Sequence, residues 1–302
     1  MLLEAVLTGA VAGGTSILYP TVGETISERA GIVNLGTEGS MLAGAMTAYA
    51  VGIETGNAWL GVLAGAAAGA ALAAVLAFVV LVRGANQIAS GLVVTFLGIG
   101  LTSLFGQDYV GQGVNPLETV PVPGLSRLPF VGPVLFDHDL LTYLSVVVAV
   151  GIWLAMFRTR TGLWLRAAGE RPEVLQTFGT SPRRVRAAAL LVGGALAGVG
   201  GAQLATAYTR NWSENMTVGR GFVAVALVIF AAWNPLKAIA GAYLFSGAIA
   251  LQLELQARGT DLSPYLLQAL PYLVVVIVLA ALSRRRVHAV PESLSRVFES
   301  AG

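Results

Sequence analysis

SERAGIVNLGTEG, residues 27–39, lies between two apolar runs and holds two glutamates, an arginine, an asparagine and three glycines. A segment this polar in so apolar a neighbourhood has two readings. It is either a cytoplasmic loop or the broken-helix entrance to a central path. Irregular backbone at membrane depth is tolerated only where protein buries it or water reaches it. The two readings therefore differ in what must surround Asn34 and Glu38.

The neighbourhood is apolar throughout. Of 302 residues, 56% are hydrophobic and 11% charged, and the mean hydropathy is +0.75. Soluble domains carry about 25% charged residues, so the composition predicts an all-α, polytopic integral membrane protein. The 37 glycines suit close helix contacts, and the lack of cysteine excludes disulfides and thiolate chemistry. A net charge of +2 gives no basis for a nucleic-acid partner. The N-terminus, with Glu4 and no basic n-region, reads as a first helix rather than a cleaved signal.

A helix needs roughly 20 residues to cross a bilayer. Apolar segments at 2–22, 39–53, 57–82, 87–105, 140–157, 186–207, 219–233, 236–256 and 265–282 predict about nine spans (8–10), of which 39–53 and 219–233 are short. The loop 158–186 carries Arg158, Arg160, Arg166, Arg171, Arg183, Arg184 and Arg186, and the tail after 282 is also basic. With both in the cytoplasm, alternation places 14 of the 18 lysines and arginines inside. The positive-inside rule then puts the N-terminus outside and the C-terminus in the cytoplasm. The outer loop 106–139 holds five prolines and reads as irregular, its Asp108, Glu118, Asp137 and Asp139 as solvated.

Segment starts repeat in the order long, short, long, long, so that 2–105 matches 186–282. GAVAG (9–13) resembles GALAG (194–198), and Ser27-Glu28 resembles Ser213-Glu214. Five crossings separate the halves, which makes the repeat inverted. In inverted-repeat transporters, short or glycine-interrupted segments at matching positions mark the substrate path. That singles out 27–39 and its counterpart TRNWSENMTVGRG (209–221). Asn34 and Glu38 on the inner side and Asn211, Ser213 and Asn215 on the outer side are candidate path residues, able to bond solute hydroxyls or simply to cap helices. Gly61, Gly65 and Gly69 share one helix face, for packing within the chain or for a dimer.

In the loop, Pro172 suits a helix start, Glu173 complements its positive end, Val174, Leu175 and Phe178 supply apolar side chains, and Gly179 suits a left-handed stop. Ser181-Pro182 opens the next helix. A helix of about two turns is marginal alone, so it must pack on its own chain or on a cytoplasmic partner. The chain holds no G-x-x-x-x-G-K-[ST], H-E-x-x-H or G-x-S-x-G motif. No enzyme activity, cofactor or metal is expected, and His138 and His288 read as non-ligands.

PTVGETISERAGIVNLGTEGSMLAGA (20–45) resembles the signature of bacterial ABC-transporter permeases for simple sugars and nucleosides, a branched-chain-type permease family, and is most similar to the smaller nucleoside-type subunit. RAAGERPEVLQTFG (166–179) resembles that family's cytoplasmic coupling loop, with Glu173 and Gly179 six apart. The alanines that follow the glutamate in the family are replaced by Val174 and Leu175. The resemblance spans about 2–285. It implies a paralogous permease as heterodimer partner, a separate cytoplasmic ATP-binding subunit docked near 168–181, an extracytoplasmic substrate-binding lipoprotein, and import of a nucleoside or related sugar. The alternative is an ion-coupled secondary transporter of a small polar solute.

Overall fold

The computed structural model describes residues 2–260, 263–283 and 291–294. His288 and the basic tail, apart from residues 291–294, lie outside them. The described chain runs as α1 (Leu2–Arg29), α2 (Thr37–Thr55), α3 (Ala58–Ala77, prolonged by a π-turn Phe78–Val82), α4 (Gln87–Gly106), α5 (Val131–Leu135), α6 (Leu140–Arg158), α7 (Arg160–Glu170), α8 (Pro172–Thr177), α9 (Pro182–Gln203, prolonged by a π-turn Leu204–Tyr208), α10 (Arg220–Phe230), α11 (Pro235–Ala257) and α12 (Pro264–Ser283). There is no strand among the described residues; one isolated bridge joins Thr119 to Asp139. Among the described residues, six helices are long and apolar enough to cross a membrane: Leu2–Arg29, Ala58–Val82, Gln87–Tyr109, Leu140–Arg158, Pro182–Tyr208 and Pro235–Ala257. The protein is a polytopic all-α membrane protein, with α2, α10 and α12 at the remaining three predicted segments.

Helix starts follow from local chemistry. Asn57 Oδ1 accepts from Trp59 N at 2.9 Å, Asn86 Oδ1 from Ile88 N at 2.9 Å, and Asn234 Oδ1 from Leu236 N at 3.0 Å. Each satisfies an otherwise orphaned N-terminal donor. Asp139 does the same for α6, accepting from Thr142 N at 3.0 Å and its hydroxyl at 2.8 Å. That corrects one expectation: Asp108, Glu118 and Asp137 are exposed, but Asp139 is buried as a cap. The loop 106–139 also gains the short α5.

Glycine and alanine set the packing. α1 runs antiparallel to α11, with Gly9 on Ala250 and Gly13 on Ser246. α3 runs antiparallel to α9, with Gly65 on Gly198 and Gly69 on Gly194. α9 is antiparallel to α1, Gly193 meeting Gly23 and Gly200 meeting Ser16, and α2 is antiparallel to α3, Gly44 meeting Gly65 and Ala48 meeting Gly61. All three glycines of the Gly61/Gly65/Gly69 face are thus used within the chain. Apolar burial drives little association between helices in lipid, so close backbone contact has to supply it. Outward-facing Val93, Phe96 and Leu104 on α4 remain exposed, as a hydrocarbon solvent allows.

Two boundaries differ from expectation. The first helix continues from residue 22 to Arg29, because Glu24, Ser27 and Glu28 face the protein interior rather than lipid. The second segment is not short: α2 has 19 residues, polar at its first turn and buried there.

Candidate functional site

The opening segment resolves into three parts. Ser27–Arg29 end α1, residues 30–36 form a break, and Thr37 begins α2. The break is buried: Ala30, Ile32, Val33 and Asn34 are nearly inaccessible. Its backbone groups are met one by one. Gly31, in the left-handed region at φ +89°, closes α1 with Gly31 N donating to Glu28 O and Ile32 N to Ser27 O, a Schellman cap. Arg186 Nε donates to Ala30 O at 3.0 Å. Val33 N donates to Gln87 Oε1 at 3.0 Å, and Thr95 Oγ1 donates to Leu35 O at 2.8 Å. Asn34 N donates to Glu24 Oε1 at 2.7 Å, while Thr37 Oγ1 donates to Glu24 Oε2 at 3.1 Å. The segment is a protein-buried break, with side chains replacing the water that a loop would use.

Two more carboxylates hold the short helix α10 at its ends. Glu38, in the first turn of α2, accepts from Thr217 Oγ1 at 2.6 Å, Gly219 N at 2.8 Å and Gly221 N at 2.6 Å. It therefore complements the positive ends of α2 and α10 together. At the far end, Trp233 Nε1 donates to Glu28 Oε2 at 2.6 Å, and Arg29 Nε donates to Trp233 O at 3.2 Å. The flanking backbone is strained. Val218 (φ +46°), Ala232 (φ +50°) and Trp233 (φ +53°) are left-handed without being glycine, at a cost of about 1–3 kcal/mol each. Such conformations persist only where the surroundings over-determine them, and the two carboxylate clamps do so here.

The candidate path residues divide. Glu38 meets the loop 209–219 at its C-terminal end. Asn34 is buried, and its side-chain amide has no hydrogen-bond partner among the described residues. Asn211, Ser213 and Asn215 are exposed and line a separate depression of about 320 Å³ with Glu214 and Met216. The structure does not bring Asn34 to them. Ser213-Glu214 sits in this exposed loop, unlike the helical, buried Ser27-Glu28. A second cavity of about 390 Å³ lies among α10, α11 and α12, with Arg220, Gln252, Gln268 and Tyr272 in its wall. Sequence reasoning missed Glu24, Glu28, Arg220 and Trp233. The four-residue spacing of Glu24 and Glu28 could have suggested one buried helix face.

In the loop 158–186, α8 ends as expected. Gly179 is left-handed at φ +72°, Gly179 N donates to Gln176 O and Thr180 N donates to Leu175 O. Glu173 is exposed in the first turn. The apolar residues do not act together: Leu175 is 3% exposed, packed on its own chain, whereas Val174 is 42% and Phe178 79% exposed. Replacing Trp233 with Phe keeps the ring and removes the donor to buried Glu28. A hydrogen bond contributes about 0.5–1.5 kcal/mol net, and a buried acceptor left without its donor costs about 1–3 kcal/mol, so W233F should lower the melting temperature of the purified protein, as read by scanning fluorimetry.

A family model described as branched-chain amino acid transport system / permease component matches residues 6–279. The chain is 40% identical over 262 residues to a putative glucose ABC transporter permease protein of Haloferax volcanii, covering 85% of this chain and 80% of that one. It is 34% identical over 291 residues to a nucleoside ABC transporter permease protein of Lactococcus lactis, covering 92% of each. A guanosine ABC transporter permease protein of Bacillus subtilis is 28% identical over 293 residues, again with 92% of each covered. No solved structure matches the chain.

Proposed function

Because the chain belongs to the branched-chain amino acid transport system / permease family, we propose that it is the membrane-spanning subunit of an ABC importer that carries a nucleoside or related simple sugar inward. Relatives named for nucleoside and for glucose transport support that cargo class. ATP is hydrolysed on a separate cytoplasmic subunit, a lipoprotein delivers the solute outside, and a paralogous permease completes the pore.

The observation that carries the coupling reading is Phe178. It is an aromatic side chain 79% exposed, held out by a helix whose own chain packs only Leu175. Val174 and Phe178 form the knob for the ATPase subunit, Glu173 sits beside them, and Gly179 sets the direction in which they point. The antiparallel pairs α1/α11 and α3/α9 support an inverted repeat, in which the first helix of each half packs on the third of the other. In this reading Glu38 and the 211–215 loop belong to the path wall on α10, and Asn34 to its inner end. The ion-coupled alternative would draw on Glu24, Glu28 and Glu38, but each of these already ties helices together.

Uptake by proteoliposomes holding this chain with its partner subunits tests the reading. ATP in the ATPase-facing compartment should drive accumulation of labelled uridine or glucose. Phe178→Ala should cut uptake at least tenfold while ATP hydrolysis by the isolated ATPase subunit continues. Gly179→Val should do likewise, because a β-branched residue is disfavoured at positive φ by about 1–2 kcal/mol. Uptake unchanged in both variants, or uptake without ATP, would overturn the coupling role.

A further inference from the structure

The cavity among α10, α11 and α12 is built differently from the loop depression beside it. Val218 stands in the wall of both. Beyond Val218 lies Arg220, whose guanidinium donates from Nη1 to Ser16 Oγ at 3.0 Å and lies 5.6 Å from the Tyr208 ring centroid. An arginine inside a membrane protein marks a functional site by default. Its charge is offset by Glu38, which accepts from both neighbours, Gly219 N and Gly221 N. The corner is therefore close to neutral, while four of the five guanidinium N–H donors have no recorded acceptor among the described residues.

The rest of the wall supplies amides and an aromatic face. Gln252 comes from α11 and Gln268 from α12. Tyr272 is 51% exposed, and its ring is buttressed edge-on by buried Phe245, centroids 5.9 Å apart. No aspartate or glutamate lines the cavity. A hexose offers hydroxyls that both donate and accept, but no flat aromatic face to stack on Tyr272. A nucleobase presents a flat face for Tyr272, and carbonyl and ring-nitrogen acceptors for Arg220. Its mixed donor and acceptor edge suits a glutamine amide. The volume, about 390 Å³, lies within the range of small-ligand sites.

We propose that this cavity is a station on the import path that holds the base of a nucleoside, stacked on Tyr272 and hydrogen-bonded by Arg220, Gln252 and Gln268. The proposal rests on the importer reading above and narrows its cargo to nucleosides.

The test is equilibrium binding of labelled uridine to the detergent-solubilised complex of this chain with its permease and ATPase partners, without the lipoprotein. ATP-driven uptake by the same complex in proteoliposomes, with the lipoprotein restored, is measured alongside. Wild type should bind uridine, with unlabelled adenosine competing and glucose not. Tyr272→Leu and Gln268→Leu should each weaken binding at least tenfold, and Tyr272→Phe should restore it. Gel filtration checks assembly, and Gln252→Leu carries the same expected loss should Y272L fail to assemble. Unchanged binding in the assembled leucine variants would overturn the site and leave the importer reading standing. Binding and uptake of glucose in place of uridine would overturn base recognition alone. Failure of ATP to drive uptake of either solute would overturn both.

Discussion

Glu38→Ala is expected to release α10 from the core and leave little folded protein. Three donors converge on this carboxylate, Thr217 Oγ1, Gly219 N and Gly221 N, and all three bonds lie between 2.6 and 2.8 Å. Alanine strands Thr217 Oγ1 and Gly221 N in a buried corner and leaves Gly219 N half-buried. At about 1–3 kcal/mol for each unsatisfied buried donor, the loss is a large fraction of the ~5–15 kcal/mol that holds a typical domain together. The left-handed Val218 beside them loses its support as well. Glu38→Gln keeps one acceptor oxygen but turns an amide donor toward the remaining donors, so it should fall between wild type and alanine. Monodisperse protein recovered after heating in detergent measures the order. Recovery of E38A equal to wild type would mean that α10 is held by its apolar packing on α1 and α11 alone.

Gly198→Leu should be as damaging by a different route. A Cβ at Gly198 would overlap the carbonyl of Gly65, and α2 approaches from another side at Gly44. Three helices meet with backbone on backbone, so no flexible side chain can yield. Overpacking typically costs about 1–3 kcal/mol, and here the cost should reach the top of that range or pass it, because α2, α3 and α9 must all separate. Gly100→Ala on α4 is the matching control: nothing lies within 4 Å of its added methyl, and alanine favours a helix interior by roughly 0.5–1 kcal/mol. The yield of monomeric protein on fluorescence-detected gel filtration should collapse for G198L and hold or rise for G100A.

Much of this was legible in the chain. Apolar run lengths located every long helix, since crossing a bilayer requires about 20 apolar residues whatever the neighbours do. Pro172, Gly179 and Pro182 marked the ends of α8 and the start of α9 because those residues act through their own backbone preferences. The same logic missed the C-terminal turns of α1. Polar residues from Glu24 to Arg29 look like a loop to any reading based on hydropathy, yet they form a helix face turned inward. It also took Val174, Leu175 and Phe178 as one apolar group, whereas the fold buries Leu175 and leaves the other two free.

The sequence by itself thus determined the class of protein, the order of its long apolar helices, and the local stops that shape the loop 158–186, because each depends on composition or on a few adjacent residues. Only the tertiary structure decided which carboxylate meets which donor. Glu38 and Gly221, or Glu28 and Trp233, are brought within 2.6 Å of each other from positions some 200 residues apart. That pairing follows from how α1, α2, α9 and α11 nest through their glycines, and a hydrogen bond depends on that distance rather than on any pattern along the chain.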